Sequence, residues 1–221
     1  MHQLFSAIFY ELKKNFRNSG ELLYPVIFYV LCIIMFPLAL GPDRFQQAPI
    51  ASGAVWISAI LAISLSIENI FLREYLDGSV EMLILSGTSL TLLCLAKATA
   101  YWLSSCLLVL LVTFPVTVML KIDFLESTVL MLSLCLVTAT MSLVGAAVSA
   151  LTAGLRGGSL LTVTLLLPLL VPPVIFGASA TSNTSLGLDP TPELLFLSGF
   201  FVLALTLSPW ACAAAIRTRI Q

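Results

Sequence analysis

Six stretches of roughly twenty residues, nearly free of charge, recur along the chain at about 22–40, 50–71, 98–119, 128–152, 159–180 and 194–215. A bilayer's hydrocarbon core is about 30 Å thick and takes about 20 apolar residues of helix to cross. Each run is therefore long enough to span. Backbone polar groups find no water in lipid, so only α-helices and closed β-barrels cross it. None of the runs shows the alternation of a barrel strand. The expected fold is all-α, a polytopic membrane protein with one transmembrane domain over 1–221. Composition agrees: 10% of the residues are charged and 59% hydrophobic, where soluble domains carry about a quarter charged. So few charges cannot cover a water-facing surface. The first run starts near Leu22 and is expected to stay as an uncleaved anchor.

Residues 1–20 differ. Leu4, Phe5, Ile8, Phe9, Leu12 and Phe16 recur at helical spacing, with Gln3, Glu11, Lys13, Lys14 and Arg17 between them. One apolar and one charged face, in a stretch too polar to span, predict an amphipathic helix lying in the membrane interface. Basic residues then set orientation. Lys13, Lys14, Arg17, Arg73, Lys97, Arg156, Arg217 and Arg219 share one side of a six-span topology, against Arg44 and Lys121 on the other. That bias predicts both termini in the cytoplasm.

Several functions are disfavoured. The net charge is −1 and no basic cluster exists to bind nucleic acid. Cys32, Cys94, Cys106, Cys135 and Cys212 form no C-x-x-C pair and read as apolar packing residues, so neither disulfides nor a metal site is expected. His2 is the lone histidine, too few to ligate a metal or a haem iron. "GLRGGS" at 154–159 lacks the Lys-Ser/Thr of a phosphate loop and reads as a tight turn. No nucleophile–base pair supports an enzyme, and no carboxylate or histidine sits at a clear mid-membrane position to carry protons. Energy for any uphill task would have to come from a partner.

Three features remain. The first is a charged island, "REYLDGSVEMLILSG" at 73–87, between the second and third runs. Asp77-Gly78 is a turn signal, and Ser79 with Glu81 can open a further helical turn. About 25 residues separate the two runs here, although 5 would suffice. The segment 72–97 thus reads as an elbow with an interfacial helix, offering Arg73, Glu74, Leu76, Asp77, Gly78 and Glu81 to a partner. The second feature is a small-residue stripe, Ser142, Ala146, Ala150 and Gly154, flanked by Gly145, Ser149 and Ala153. It allows close helix approach, in a dimer seam, in the wall of a conduit or inside the bundle. The third is Pro168, Pro172 and Pro173 in the fifth run. They predict a kinked or broken span, and whether the polar stretch 181–193 then forms a re-entrant element is left open.

The N-terminal interfacial helix, six spans and first loop together resemble the membrane subunits of ABC-2-type ATP-driven exporters, in which that loop forms the coupling helix resting on the ATPase. Within that group the chain resembles the CcmB family, the B subunits of the haem exporter in cytochrome c maturation. The stretches that carry this are "FPLALGPD" at 36–43, "REYLDGSVEMLIL" at 73–85, "LAKATAYWL" at 95–103, "LRGGSLLTVTLLLPLLVPPVIFGASA" at 155–180 and "LSPWACAAAIR" at 207–217. The resemblance implies a homodimeric permease of the bacterial inner membrane, with ATP bound by a partner ATPase. It also implies further maturation subunits and a periplasmic haem chaperone as partners. Haem would be the candidate substrate, with no cofactor bound by this chain. The role is then haem export, or ATP-driven release of the loaded chaperone. A non-transporting scaffold and a secondary transporter are the alternatives.

Overall fold

Every regular element among the described residues is helical. The computed structural model describes residues 2–17, 19–41, 48–78 and 89–218. In chain order the helices are α1 (His2–Arg17), α2 (Ser19–Leu40), α3 (Ala48–Ser66), α4 (Asn69–Leu76) and α5 (Leu90–Tyr101). A π-helical segment (Trp102–Cys106) follows, then α6 (Leu107–Met119), α7 (Phe124–Thr152), α8 (Gly158–Ser185) and α9 (Thr191–Thr218). Among the described residues six segments are long and apolar enough to cross a membrane: Leu22–Ala39, Ile50–Leu76, Leu90–Met119, Phe124–Thr152, Gly158–Ser185 and Thr191–Thr218. The all-α polytopic fold is thus present.

α7 and α3 form the centre and are buried over most of their length, whereas α2, α8 and α9 turn most of theirs outward. α7 packs most extensively against α8 and α9, and also touches α4, α5 and α6. Lipid tails are as apolar as leucine, so close packing and interhelical hydrogen bonds hold such a bundle together. Ile63, Ile67, Leu130, Leu134, Met141 and Leu166 are sealed inside it. Polar side chains in the spans close their hydrogen bonds locally or across helices. Thr113, Thr140 and Thr184 donate to the carbonyls of Val109, Leu136 and Ala180, each at 2.8 Å. Trp56 Nε1 donates to Thr181 Oγ1 and Trp102 Nε1 to Thr138 Oγ1, each at 3.2 Å. The Trp56 ring lies directly on Gly177, where a Cβ would come within 2.3 Å of it.

Three expectations are corrected and one open question is answered. α8 runs unbroken through Pro168, Pro172 and Pro173. Proline's fixed φ is itself helical, and each ring removes one bond from a helix that keeps the rest of its ladder. The 181–193 stretch is not re-entrant: α8 continues to Ser185 and α9 starts at Thr191. The short link is closed by Asp189, whose carboxylate accepts from the Thr191 hydroxyl and N–H. Those bonds, the hydroxyl's first, hold Asp189 below the usual carboxylate range. Cys94 and Cys212 are paired sulfur to sulfur across α5 and α9, with Cα atoms 6.3 Å apart. The pairing joins positions 118 residues apart, beyond what local cysteine spacing reveals. Finally, 90–97 is not part of a separate interfacial element. It opens the third span as the first turns of α5, with Leu90, Leu93, Cys94, Ala96 and Lys97 buried. The rest of that expected element, including Ser79 and Glu81, falls at 79–88, outside the described residues.

The small-residue stripe lies inside this one chain. Ser142, Ala146 and Ala150 are buried, and Cys212 of α9 sits against the Ala146 carbonyl. That is packing within the bundle rather than a seam left open for a second copy. Gly154 lies just beyond the end of α7 at φ +78°, the left-handed backbone for which glycine is suited.

Candidate coupling site where the elbow meets the bundle

α3 and α4 are nearly one helix, interrupted by a two-residue turn at Ile67 and Glu68. A turn there frees backbone groups that lipid cannot satisfy. Ser149 of α7 takes both ends: its Oγ donates to the Glu68 carbonyl at 2.8 Å and accepts from the Phe71 N–H at 3.3 Å. Gly145, one turn earlier on α7, makes room for Ile67. Gly154, just past its end, makes room for the Tyr75 ring. The flanking line of small residues at 145 and 149, extended to 154, is therefore the seat of the elbow. Removing the Ser149 hydroxyl (Ser149→Ala) is expected to cost about 1–3 kcal/mol, the penalty of stranding buried polar groups. Hydrogen exchange checks this directly, through loss of protection at the Phe71 amide.

From that seat α4 points Glu74 inward, 3% exposed. Two lysines from other helices converge on it. Lys14 Nζ of α1 lies 2.6 Å from Glu74 Oε1, and Lys97 Nζ of α5 pairs with the same oxygen. Lys97 also pairs with Glu11 of α1 at 3.1 Å and stands 5.3 Å from the centre of the Phe71 ring. Glu11 and Lys97 are buried too. Two carboxylates and two ammonium groups balance, which is what allows four charges at a desolvated site. Burial opposes the charge on Lys14, but the Glu74 hydrogen bond, with the Glu74 and Glu11 charges, outweighs it and raises the ammonium's pKa. Lys14 stays protonated at any physiological pH.

A further bond ties α1 to the third span. Asn15 Nδ2 donates to Ser104 Oγ at 3.1 Å, and Ser104 lies in the π-helical segment. Such segments often mark functional positions in helices. Just before it, the Tyr101 hydroxyl donates to the Ile63 carbonyl at 3.0 Å and bonds Ser66 at 2.7 Å. Between these groups is a cavity of about 60 Å³, lined by Ser66, Asn69, Arg73, Tyr101 and Ser105 with the charged cluster. It is polar and has room for a few waters.

The elbow residues divide in two. Glu74 is built into the network and Arg73 borders the cavity. Leu76, Asp77 and Gly78 form an exposed tip, with Gly78 at φ +67° as the turn signal implied. Glu81 lies outside the described residues. Sequence reasoning missed Glu11, Lys14, Asn15, Lys97 and Ser104 as one group. A signal existed at Lys97, a single charge seven residues inside an otherwise apolar helix. Such a residue requires a partner, but nothing local says which. The arrangement offers no catalytic chemistry. It is a joint that makes the positions of α1, α4 and α5 depend on one another.

The comparisons cover this whole arrangement. The family model described as "CcmB protein" matches residues 2–219. A protein of Pseudomonas aeruginosa named heme exporter protein B is 40% identical over 210 residues, 95% of this chain and 94% of the relative. Its namesake in Haemophilus influenzae is 38% identical over 211 residues, 96% of each chain. That of Bradyrhizobium diazoefficiens is 29% identical over 218 residues, 98% of each. A family match over residues 2–219 takes in every described helix and every residue of the buried joint, and the chain belongs to the CcmB protein family.

Proposed function

We propose that the chain is the permease subunit of an ATP-driven complex of cytochrome c biogenesis, in the bacterial inner membrane with both termini cytoplasmic. The names of its relatives support a task in haem export. Two copies pair, and each receives a soluble ABC ATPase on the segment from Arg73 to Glu81. Other maturation subunits and a periplasmic haem chaperone complete the assembly. The observation that carries this reading is Glu74. It is three residues before the exposed Asp77-Gly78 tip and is bonded to Lys97 in the third span and Lys14 in α1. A push on the tip is transmitted through these bonds to a spanning helix without crossing a flexible link. That favours a motion-transmitting role, driving release of the haem-loaded chaperone, over a haem conduit through this chain.

The test separates docking from folding. Leu76, Asp77 and Gly78 are exposed, so substitutions there change stability little, within about 0.5 kcal/mol. Asp77→Arg is expected to leave the chain folded and inserted while the ATPase no longer co-purifies, or hydrolyses ATP without holocytochrome formation. Normal maturation with a normally bound ATPase would refute the docking role.

A further inference from the structure

The bonds to Glu74, Lys97 and Ser104 fix the rotation of α1 about its own axis. They turn the polar arc, Glu11, Lys14 and Asn15, toward the bundle. The outward arc carries Phe5, Phe9 and Phe16, exposed by 74, 65 and 57%. Beside them stand Lys13 and Arg17, also exposed. At about 100° per residue the three phenylalanines fall within about 40° of one another, and Lys13 and Arg17 follow about 80° and 120° from Phe5. The outward surface is therefore ordered across the helix, an aromatic edge and then a cationic edge.

Its surroundings identify the medium it faces. α2 starts two residues after α1, and Tyr24 in its second turn is exposed by 67%. Trp210, two residues before the Cys212 that pairs with Cys94 of α5, one turn from Lys97, is exposed by 73%. Tyrosine and tryptophan settle at the headgroup level of a bilayer, so α1 lies at that depth. A helix there with phenylalanine on one edge and lysine and arginine on the next matches acyl chains below and phosphates beside them.

We propose that the outward arc of α1 is a binding face for anionic phospholipids. Lys13 and Arg17 take the headgroup phosphates, and Phe5, Phe9 and Phe16 enter the acyl boundary. Because the opposite arc holds Glu74 and Lys97, the charge of the leaflet bears on the buried joint. This inference is independent of any ATPase.

The full chain is placed in nanodiscs of phosphatidylcholine, with or without phosphatidylglycerol, and amide exchange is followed over residues 2–17. Anionic lipid is expected to raise protection of α1 by about 10- to 30-fold, from two basic side chains at a charged surface. Added salt is expected to remove the gain. The exposed double variant Lys13→Gln/Arg17→Gln is expected to lose the gain while α3 and α7 exchange as before. Phe5→Ser/Phe9→Ser is expected to lower protection in both bilayers and keep the anionic increment. Equal protection of α1 in the two bilayers would overturn the proposal, as would an undiminished response of the double variant. So would an equal gain from inorganic phosphate added to phosphatidylcholine discs, or protection that appears only when a soluble partner protein is added.

Discussion

Lys97→Met is expected to destabilise the protein by about 3–5 kcal/mol, the cost of breaking a buried ion pair by removing one partner. Methionine fills much the same volume, so the loss is electrostatic. Glu11 then loses its bonded cation and keeps only the more distant charge of Lys14 among the lysines of the cluster, while Glu74 loses one of its two bonded lysines. Two buried carboxylates are left under-compensated. Unfolding in detergent micelles measures the effect. The triple variant Lys97→Met/Glu11→Gln/Glu74→Gln is the informative control. It removes three of the four charges, leaving only the partly exposed Lys14, and is expected to regain much of the lost stability, because a buried network contributes less to net stability than breaking it costs. It is nevertheless expected to remain uncoupled, since α4 no longer grips α5. A Lys97→Met protein as stable as the parent would mean that solvent reaches the cluster and that it is no joint.

The second large effect is expected at Gly145. A methyl group there would lie 2.1 Å from Ile67 Cδ1 and 2.5 Å from Cγ1. Ile67 is fully buried and sits in the α3–α4 turn, so it has nowhere to swing. Gly145→Ala should therefore cost about 1–3 kcal/mol through overpacking, even though alanine favours helix over glycine by about 1 kcal/mol. Ile67→Ala removes both clashing atoms. The two changes together should cost less than the sum of each alone, and a double-mutant cycle in micelles measures the difference. Additive costs would show that α7 does not seat the elbow at this point.

The spans were readable because a bilayer demands long apolar runs, and such runs appear in no other guise. Their ends were not, because hydropathy stops at the first charge while the helix does not: α5 starts at Leu90, well before Lys97. α1 was readable as amphipathic, yet the arc it would turn inward was not. An isolated amphipathic helix buries its apolar face. Here part of the charged face, Glu11 and Lys14, is turned inward while Lys13 and Arg17 stay exposed, because the partners Glu74 and Lys97 arrive from 60 or more residues away. The small residues of α7 announced close approach without naming the neighbour, and the line through Gly145 and Ser149 receives the elbow. The prolines of α8 misled because a spanning helix bears the loss of single hydrogen bonds that would end a short one in water.

The Ser149 hydroxyl gives the elbow a mechanical meaning. It closes the backbone at Glu68, so α4 can be treated as a rigid rod held at that point. At 1.5 Å per residue, Glu74 stands about 9 Å along the rod and Asp77 about 14 Å. A rotation that moves Asp77 by about 3 Å moves Glu74 by about 2 Å, and a force on the tip reaches the Lys97 ammonium about one and a half times larger. In the proposed coupling role α4 is thus a lever of modest gain, with its fulcrum at one serine side chain on α7, at the centre of the bundle.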